Sequence, residues 1–189
     1  MVPRTPRTPP TTLLLRALSF AAARHSKQTR KGADPEPYVN HLITTARLVA
    51  EHAGVTDPDI LVAAVLHDVV EDTPTSLDEI RERFGATVAG YVGEVSDDKS
   101  LPKERRKELQ VEHAPHISRG AKLIKLADKL TNVEDLVRTP PAGWTLARKL
   151  EYVDWAVAVV AALRPVDAAL EAAFDAVAAE VRATLEAKG

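Results

Sequence analysis

The apolar positions of this chain fall at helical spacing almost throughout, and no stretch alternates with a period of two. Leu14, Leu18, Ala21 and Ala22 share one face of a first helix over about 12–28, and a second helix is predicted from near Tyr38 to Gly54. Thr56-Asp57-Pro58 has the form of a helix start, a capping residue and then proline. The helix it opens carries the most informative stretch of the chain, Leu61-Val-Ala-Ala-Val-Leu-His-Asp-Val-Val-Glu-Asp72, and Thr73-Pro74-Thr75 stops it. Ser76, with Glu79 three residues on, has the spacing of a capping box for a short helix that ends at Gly85. Further helices are predicted over 86–96, 103–113, 118–137, 145–163 and 166–188, the last two separated by Pro165. The fold class is therefore all-α, one domain over residues 13–189. Residues 1–12, with four prolines and four threonines, are expected to be a disordered tail.

Composition narrows the partners. A chain of 189 residues is long enough for one domain with a real core, and its usage, rich in Ala, Leu, Val, Glu and Arg, favours helix. A net charge of -2 supplies no basic field for nucleic acid. The absence of cysteine excludes disulfides and thiolate-ligated metal and fits a reducing compartment, so a cytoplasmic location is expected. No apolar run reaches the length of a membrane span. Leu13-Leu14-Leu15 could open an export signal, but Arg16 interrupts the run and its apolar residues suit a packed face.

The chemistry sits where the apolar runs end. In an unbroken helix His67 lies over Glu71 and Asp68 over Asp72, which places one imidazole and three carboxylates at the end of an apolar body. Clustered carboxylates repel and half-buried charge is poorly solvated. A divalent cation would resolve the conflict; a polar helix end facing water is the plainer alternative. Asp128, inside Leu-Ala-Asp-Lys-Leu, also requires a partner, and Asn132 follows one turn later. His41 lies in the first turn of its helix, where a lone histidine is more often structural. Together His41, His67, Asp68 and Asp128 would leave open positions on a manganese, iron or zinc ion, whereas calcium would want more oxygens. Glu71 and Asp72 lie one turn beyond two of these ligands, suited to activating water or handling a leaving-group proton. Arg30, Lys31, Lys103 and Lys107 offer a basic ring for a substrate with several phosphates, although a run such as 103–107 is usually a solvated face. His25, His52, His113 and His116 are read as packing or surface residues.

The set His41, His67-Asp68 and Asp128 resembles the pattern of the HD phosphohydrolase superfamily. Arg30-Lys31, Tyr38-Val-Asn-His41, His67-Asp-Val-Val-Glu-Asp-Thr73, Asp97-Asp-Lys-Ser-Leu-Pro102 and Lys125-Leu-Ala-Asp-Lys-Leu-Thr-Asn132 resemble the hydrolase domain of RelA/SpoT enzymes. The likeness is greatest to the stand-alone small alarmone hydrolases of the metazoan SpoT-homologue type, and it runs from about Leu14 to the end. It implies a helical HD-domain bundle and a manganese-dependent hydrolase of guanosine tetra- and pentaphosphate, yielding pyrophosphate and GDP or GTP. One Mn2+ per chain is implied, with other divalent transition metals open. By position His41, His67, Asp68 and Asp128 match the metal ligands, and Glu71 and Asp72 the catalytic carboxylates. Arg30 matches the arginine against the guanine, with Lys31 beside it, and Asn132 the asparagine at the ribose. Lys103, Arg148 and Tyr152 match further substrate-side residues. Removal of the 2′-phosphate of NADPH is the alternative activity. A sensor that binds without cleaving is a third reading, and Glu71 and Asp72 argue against it. The family often has an aromatic residue or histidine where Thr131 stands, which bears on base or ribose contact. The synthetase domain of the long family members is not expected, and a homo-oligomer is left open.

Overall fold

The structure, a computed structural model, describes residues 8–30, 32 and 36–188. Among them ten helices form: α1 (Pro10–Arg24), α2 (Val39–His52), α3 (Pro58–Leu66), α4 (Val69–Asp72), α5 (Leu77–Phe84), α6 (Ala86–Val95), α7 (Lys103–His113), α8 (Arg119–Arg138), α9 (Leu146–Leu163) and α10 (Ala168–Ala187). No strand forms among the described residues. The single β-type pairing among the described residues is a bridge between Thr29 and Pro37, which closes the loop before α2. The all-α reading is therefore correct. No described helix is long and apolar enough to cross a membrane.

Two helices organise the packing. α3 is apolar on nearly every side, so it can only be stable if surrounded. α1, α2 and α6 pack around it, and Val62 to Leu66 are almost entirely removed from solvent. Full burial of a Val or Leu side chain contributes about 1.5–3 kcal/mol, so this short helix is a large part of the core. α8 is the second axis, contacted by α2, α6, α9 and α10, and it buries Leu123, Ile124, Leu126, Ala127, Leu130 and Val133. The starts of these helices are set locally. The Asp57 side chain accepts from the Asp59 amide at 2.9 Å with Pro58 next in line, and the Ser118 hydroxyl accepts from the Ala121 amide at 3.4 Å.

Two expectations need correction. The first helix runs over Pro10–Arg24 rather than 12–28, so it takes in Pro10, Thr11 and Thr12 from the stretch read as a tail; proline is well tolerated in a first turn. Residues 1–7 of that stretch lie outside the described residues. Nor is the central stretch one helix. α3 stops at Leu66 and α4 begins at Val69, with His67 and Asp68 as the joint and Asp68 at φ -96°, ψ -6°. The turn between Asp68 and Asp72 survives, since the Asp72 amide donates to the Asp68 carbonyl at 2.8 Å. The break aims His67 inward, towards α2 and α8.

Candidate active site

Four side chains meet at that joint. His41 Nε2 lies 3.2 Å from Asp128 Oδ1 and 3.6 Å from Asp68 Oδ2; His67 Nε2 lies 3.1 Å from Asp68 Oδ2 and 3.6 Å from Asp128 Oδ1. Ligand atoms of His41, His67 and Asp128 all fall within 4.8 Å of one another. Both Nε2 atoms are buried and make no hydrogen bond. Buried polar atoms without a hydrogen bond are costly, and a cation held between these atoms would remove that cost. Ligands about 2.1 Å from one ion and at right angles would stand about 3 Å apart, close to the separations seen. Two imidazole nitrogens and two carboxylate oxygens are a donor set for a divalent transition metal.

Each candidate ligand is held from behind. His67 Nδ1 donates to the Ala64 carbonyl at 2.7 Å, one of the last carbonyls of α3, which have no partner within the helix. In the neutral ring that bond leaves Nε2 as the lone-pair nitrogen facing the cluster. His41 Nδ1 is 3.2 Å from Thr131 Oγ1, whose own proton goes to the carbonyl of Asp128 at 2.9 Å or of Ala127 at 3.3 Å. The hydroxyl therefore accepts from Nδ1–H. Thr131 is buried, on the metal side of its helix rather than at a base or ribose. Tyr38 Oη donates to Asp68 Oδ2 at 2.6 Å, and its ring stacks on the buried His25 with centroids 4.9 Å apart. Asn132 Nδ2 donates to Asp128 Oδ1 at 2.6 Å, and Lys129 Nζ to Asp128 Oδ2 at 3.0 Å.

The proton balance follows from burial and charge. Burial alone would depress the His67 imidazolium, but Asp68 and Asp128 outweigh it and lift it to about 10 in the metal-free chain. For His41, burial prevails and its pKa is lowered. Burial would raise both aspartates, yet His67 holds Asp68, and Lys129 with the two histidines holds Asp128, below the usual carboxylate range. Ligation needs neutral imidazoles, so a cation entering here displaces the His67 proton. Thr131→Val, which removes the acceptor of His41 Nδ1–H, is expected to weaken divalent metal affinity about 10–100-fold. Competition with a chromogenic chelator measures this directly, and equal affinity in both proteins would show that the ring is held otherwise.

Glu71 and Asp72, on α4, face the same space under the loop that follows α6. Glu71 Oε2 accepts from the Asp97 amide at 3.1 Å, and Arg106 and Lys99 stand 3.8 Å from Oε1. Lys99 also donates to the Asp72 carboxylate, and Gln28 Nε2 donates to the Asp72 carbonyl at 2.9 Å. Burial, with the charges of Asp97, Asp68 and Asp72, pushes the Glu71 carboxyl up to about 7.

A cavity of about 150 Å³ lies against His67, Asp68, Glu71, Asp72 and Asp128. It shares Tyr38, Glu71, Asp72, Gln110 and Asn132 with a wider cleft of about 1060 Å³. Arg30, Lys103, Asn132, Arg148 and Tyr152, all expected on the substrate side, line that cleft together; Lys31 lies outside the described residues. Arg30 is fixed in advance. Its Nε and Nη2 donate to Asp135 Oδ2 at 3.0 and 2.6 Å, and Nη2 also to Asn132 Oδ1 at 2.8 Å. Opposite stand Trp144, Tyr152 and Trp155, in ring contact at 5.7 and 5.2 Å, with Arg148 over Trp144 at 4.4 Å and Lys129 over Trp155 at 4.7 Å. Flat rings beside fixed cations suit a nucleobase bearing phosphates. The basic run on α7 divides: Arg105 faces away and pairs with Glu108 and Glu112, while Lys103, Arg106 and Lys107 line the cleft.

Sequence reasoning missed Asp135, Lys125 and Lys129 as parts of this site, linked Thr131 to base or ribose contact rather than to His41, gave Tyr38 no role and set His25 aside. Only the quoted motifs flagged Tyr38, Lys125, Lys129 and Thr131; nothing in the sequence marked Asp135.

A helical bundle with clustered histidines and aspartates at a broken helix defines a class, and a profile of the HD domain matches residues 17–157. The chain belongs to the HD-domain family. Within it, the chain belongs with the MESH1 proteins. It is 54% identical over 161 residues to the human guanosine-3′,5′-bis(diphosphate) 3′-pyrophosphohydrolase MESH1, covering 85% of this chain and 90% of the human one. It is 47% identical over 166 residues to the Drosophila melanogaster protein of that name, covering 88% and 93%. A solved structure described as a metazoan ortholog of SpoT that hydrolyzes ppGpp superposes with a TM-score of 0.88 at 45% identity, over 92% of this chain and 98% of that one.

Proposed function

We propose that this chain hydrolyses guanosine 3′,5′-bis(diphosphate), and its pentaphosphate counterpart, to pyrophosphate and GDP or GTP, with manganese as the resident ion. The observation that carries the reading is the placement of Glu71 and Asp72 between a His/Asp cluster with two unpartnered imidazole nitrogens and a basic, aromatic-walled cleft. It is supported by relatives named for this activity at about half identity over most of their length.

His41, His67, Asp68 and Asp128 would hold the ion. When bound it supplies Lewis-acid polarisation of a phosphoryl oxygen and acidifies water. Arg30 and the Trp144–Tyr152–Trp155 wall bind the nucleoside, Asn132 reaches the ribose, and Lys103 and Arg148 meet phosphates at the mouth. Glu71 takes the proton from the attacking water, whose oxygen bonds to the near phosphorus of the 3′-diphosphate while the bond to the ribose 3′-oxygen breaks. The departing 3′-oxygen takes a proton from the same carboxyl or from Asp72. A group titrating near neutrality can both accept and return a proton, which is where burial puts Glu71.

The test is pyrophosphate release from guanosine tetraphosphate with manganese, run beside phosphate release from NADPH. Turnover of NADPH alone would overturn the assignment. Arg30→Ala is expected to raise KM while kcat stays near the wild-type value, because a contact made equally in ground and transition states affects binding alone. Steady-state kinetics decide it; an unchanged KM with a collapsed kcat would place Arg30 in the chemistry.

A further inference from the structure

We infer that Lys125 and Arg106 form a subsite for the distal phosphate of the 3′-diphosphate, and therefore for the pyrophosphate product. The inference rests on the activity proposed above. Arg30, Lys103 and Arg148 line the wide cleft but not the small cavity beside the His/Asp cluster, so they meet the nucleotide at a distance from the transferred group. The small cavity has two lysines of its own, Lys125 and Lys129. Lys129 is taken, paired to Asp128 and seated over Trp155. Lys125 is not. It is 7% exposed, and its only hydrogen bond among the described residues is to the Val95 carbonyl at 3.2 Å. No described carboxylate lies within ion-pair distance of it. An ammonium has three donors, so two remain unspent in a buried place. A buried cation without a counter-ion is costly in the free chain, and an arriving anion removes that cost.

Arg106, on α7, lines the wide cleft rather than the small cavity, but unlike Arg30, Lys103 and Arg148 it reaches Glu71. Its Nη1 stands 3.8 Å from Glu71 Oε1, and its Nε is buried with no acceptor. One turn on, Gln110 donates to Asp97 Oδ2 at 2.7 Å and holds the loop that orients Glu71. Lys125 and Arg106 come together, with Gln110 and Asp97, on a further cavity of about 410 Å³ lined by α6, α7 and α8. Unspent donors from two helices thus converge beside the proposed base. Glu71 and Asp97 border the same space, so one cation would not suffice to make it attractive to a phosphate. Two, with an ion held by the neighbouring ligands, would. A diphosphate fits: its near phosphate lies at the His/Asp cluster and its far phosphate between Lys125 and Arg106.

The experiment measures binding of pyrophosphate and, separately, of GDP to the full manganese-loaded chain by calorimetry, for wild type, Lys125→Met and Arg106→Gln. Each variant is expected to lose about tenfold or more in pyrophosphate affinity, with GDP affinity within about twofold and metal content unchanged. Pyrophosphate affinity unchanged in both variants overturns the subsite, as does an equal loss for pyrophosphate and GDP. Should Lys125→Met not fold, Arg106→Gln alone decides by the same criteria. Wild type that releases no pyrophosphate from guanosine tetraphosphate, yet binds pyrophosphate through these two residues, overturns the proposed activity and leaves the subsite standing.

Discussion

Asp128→Ala is expected to strip the chain of its divalent ion and of its activity together. Asp128 Oδ1 faces both histidines, at 3.2 and 3.6 Å, and its other oxygen neutralises the buried Lys129. Truncation leaves three candidate ligands and a buried ammonium with no partner. Removing one member of a buried ion pair costs about 3–5 kcal/mol, so thermal stability should fall with metal content. Elemental analysis, melting temperature and turnover on one preparation test this, and excess manganese should recover part of the rate. A variant that keeps its ion at wild-type affinity would place Asp128 outside the coordination sphere.

Glu71→Gln is expected to leave a folded, metal-loaded chain with kcat lowered by about 10²–10⁴-fold, equivalent to about 3–5 kcal/mol of barrier. Glutamine keeps an oxygen for the Asp97 amide but cannot take a proton. Because burial pushes the Glu71 carboxyl up to about 7, the form able to act as base grows as pH rises through neutrality. The wild-type rate should show that acid limb, and the residual rate of the variant should lack it. The same shift has a stability consequence. A carboxyl whose folded pKa is raised contributes stability that is fully present below its ordinary value of 4.5 and lost as pH rises through about 7. The variant should therefore gain on the metal-free wild type at pH 8 relative to pH 5, by about 3 kcal/mol at most. Denaturant unfolding at the two pH values checks the sign. Normal turnover of Glu71→Gln would move the base elsewhere.

The parts of this site that could be read in advance are those whose residue type conflicts with its place in a pattern. Asp128 inside an apolar helix face and His67-Asp68 at the end of six apolar residues are such conflicts, and the structure brings them together. Asp135 presents none. Its importance comes from Arg30, distant in the chain and delivered by the bridge that closes the loop before α2. The interruption at His67-Asp68 was equally silent, because Val69 and Val70 continue the helical pattern through it. What sets the joint apart is its contacts, with His41 on α2 and Asp128 on α8. Thr131 stands out in the sequence as a departure, but only its contact with His41 puts it behind a candidate ligand.

The two histidines differ in how exposed their orientation is to genetic change. His41 owes its tautomer to one hydroxyl, which a single codon change can delete. His67 owes its tautomer to the Ala64 main-chain carbonyl, which every residue carries. Side-chain drift at position 64 can alter packing but cannot withdraw that acceptor. Among diverging copies of this chain, variation in metal affinity should therefore accumulate through position 131 and the His41 half of the site, while the His67 half stays constant.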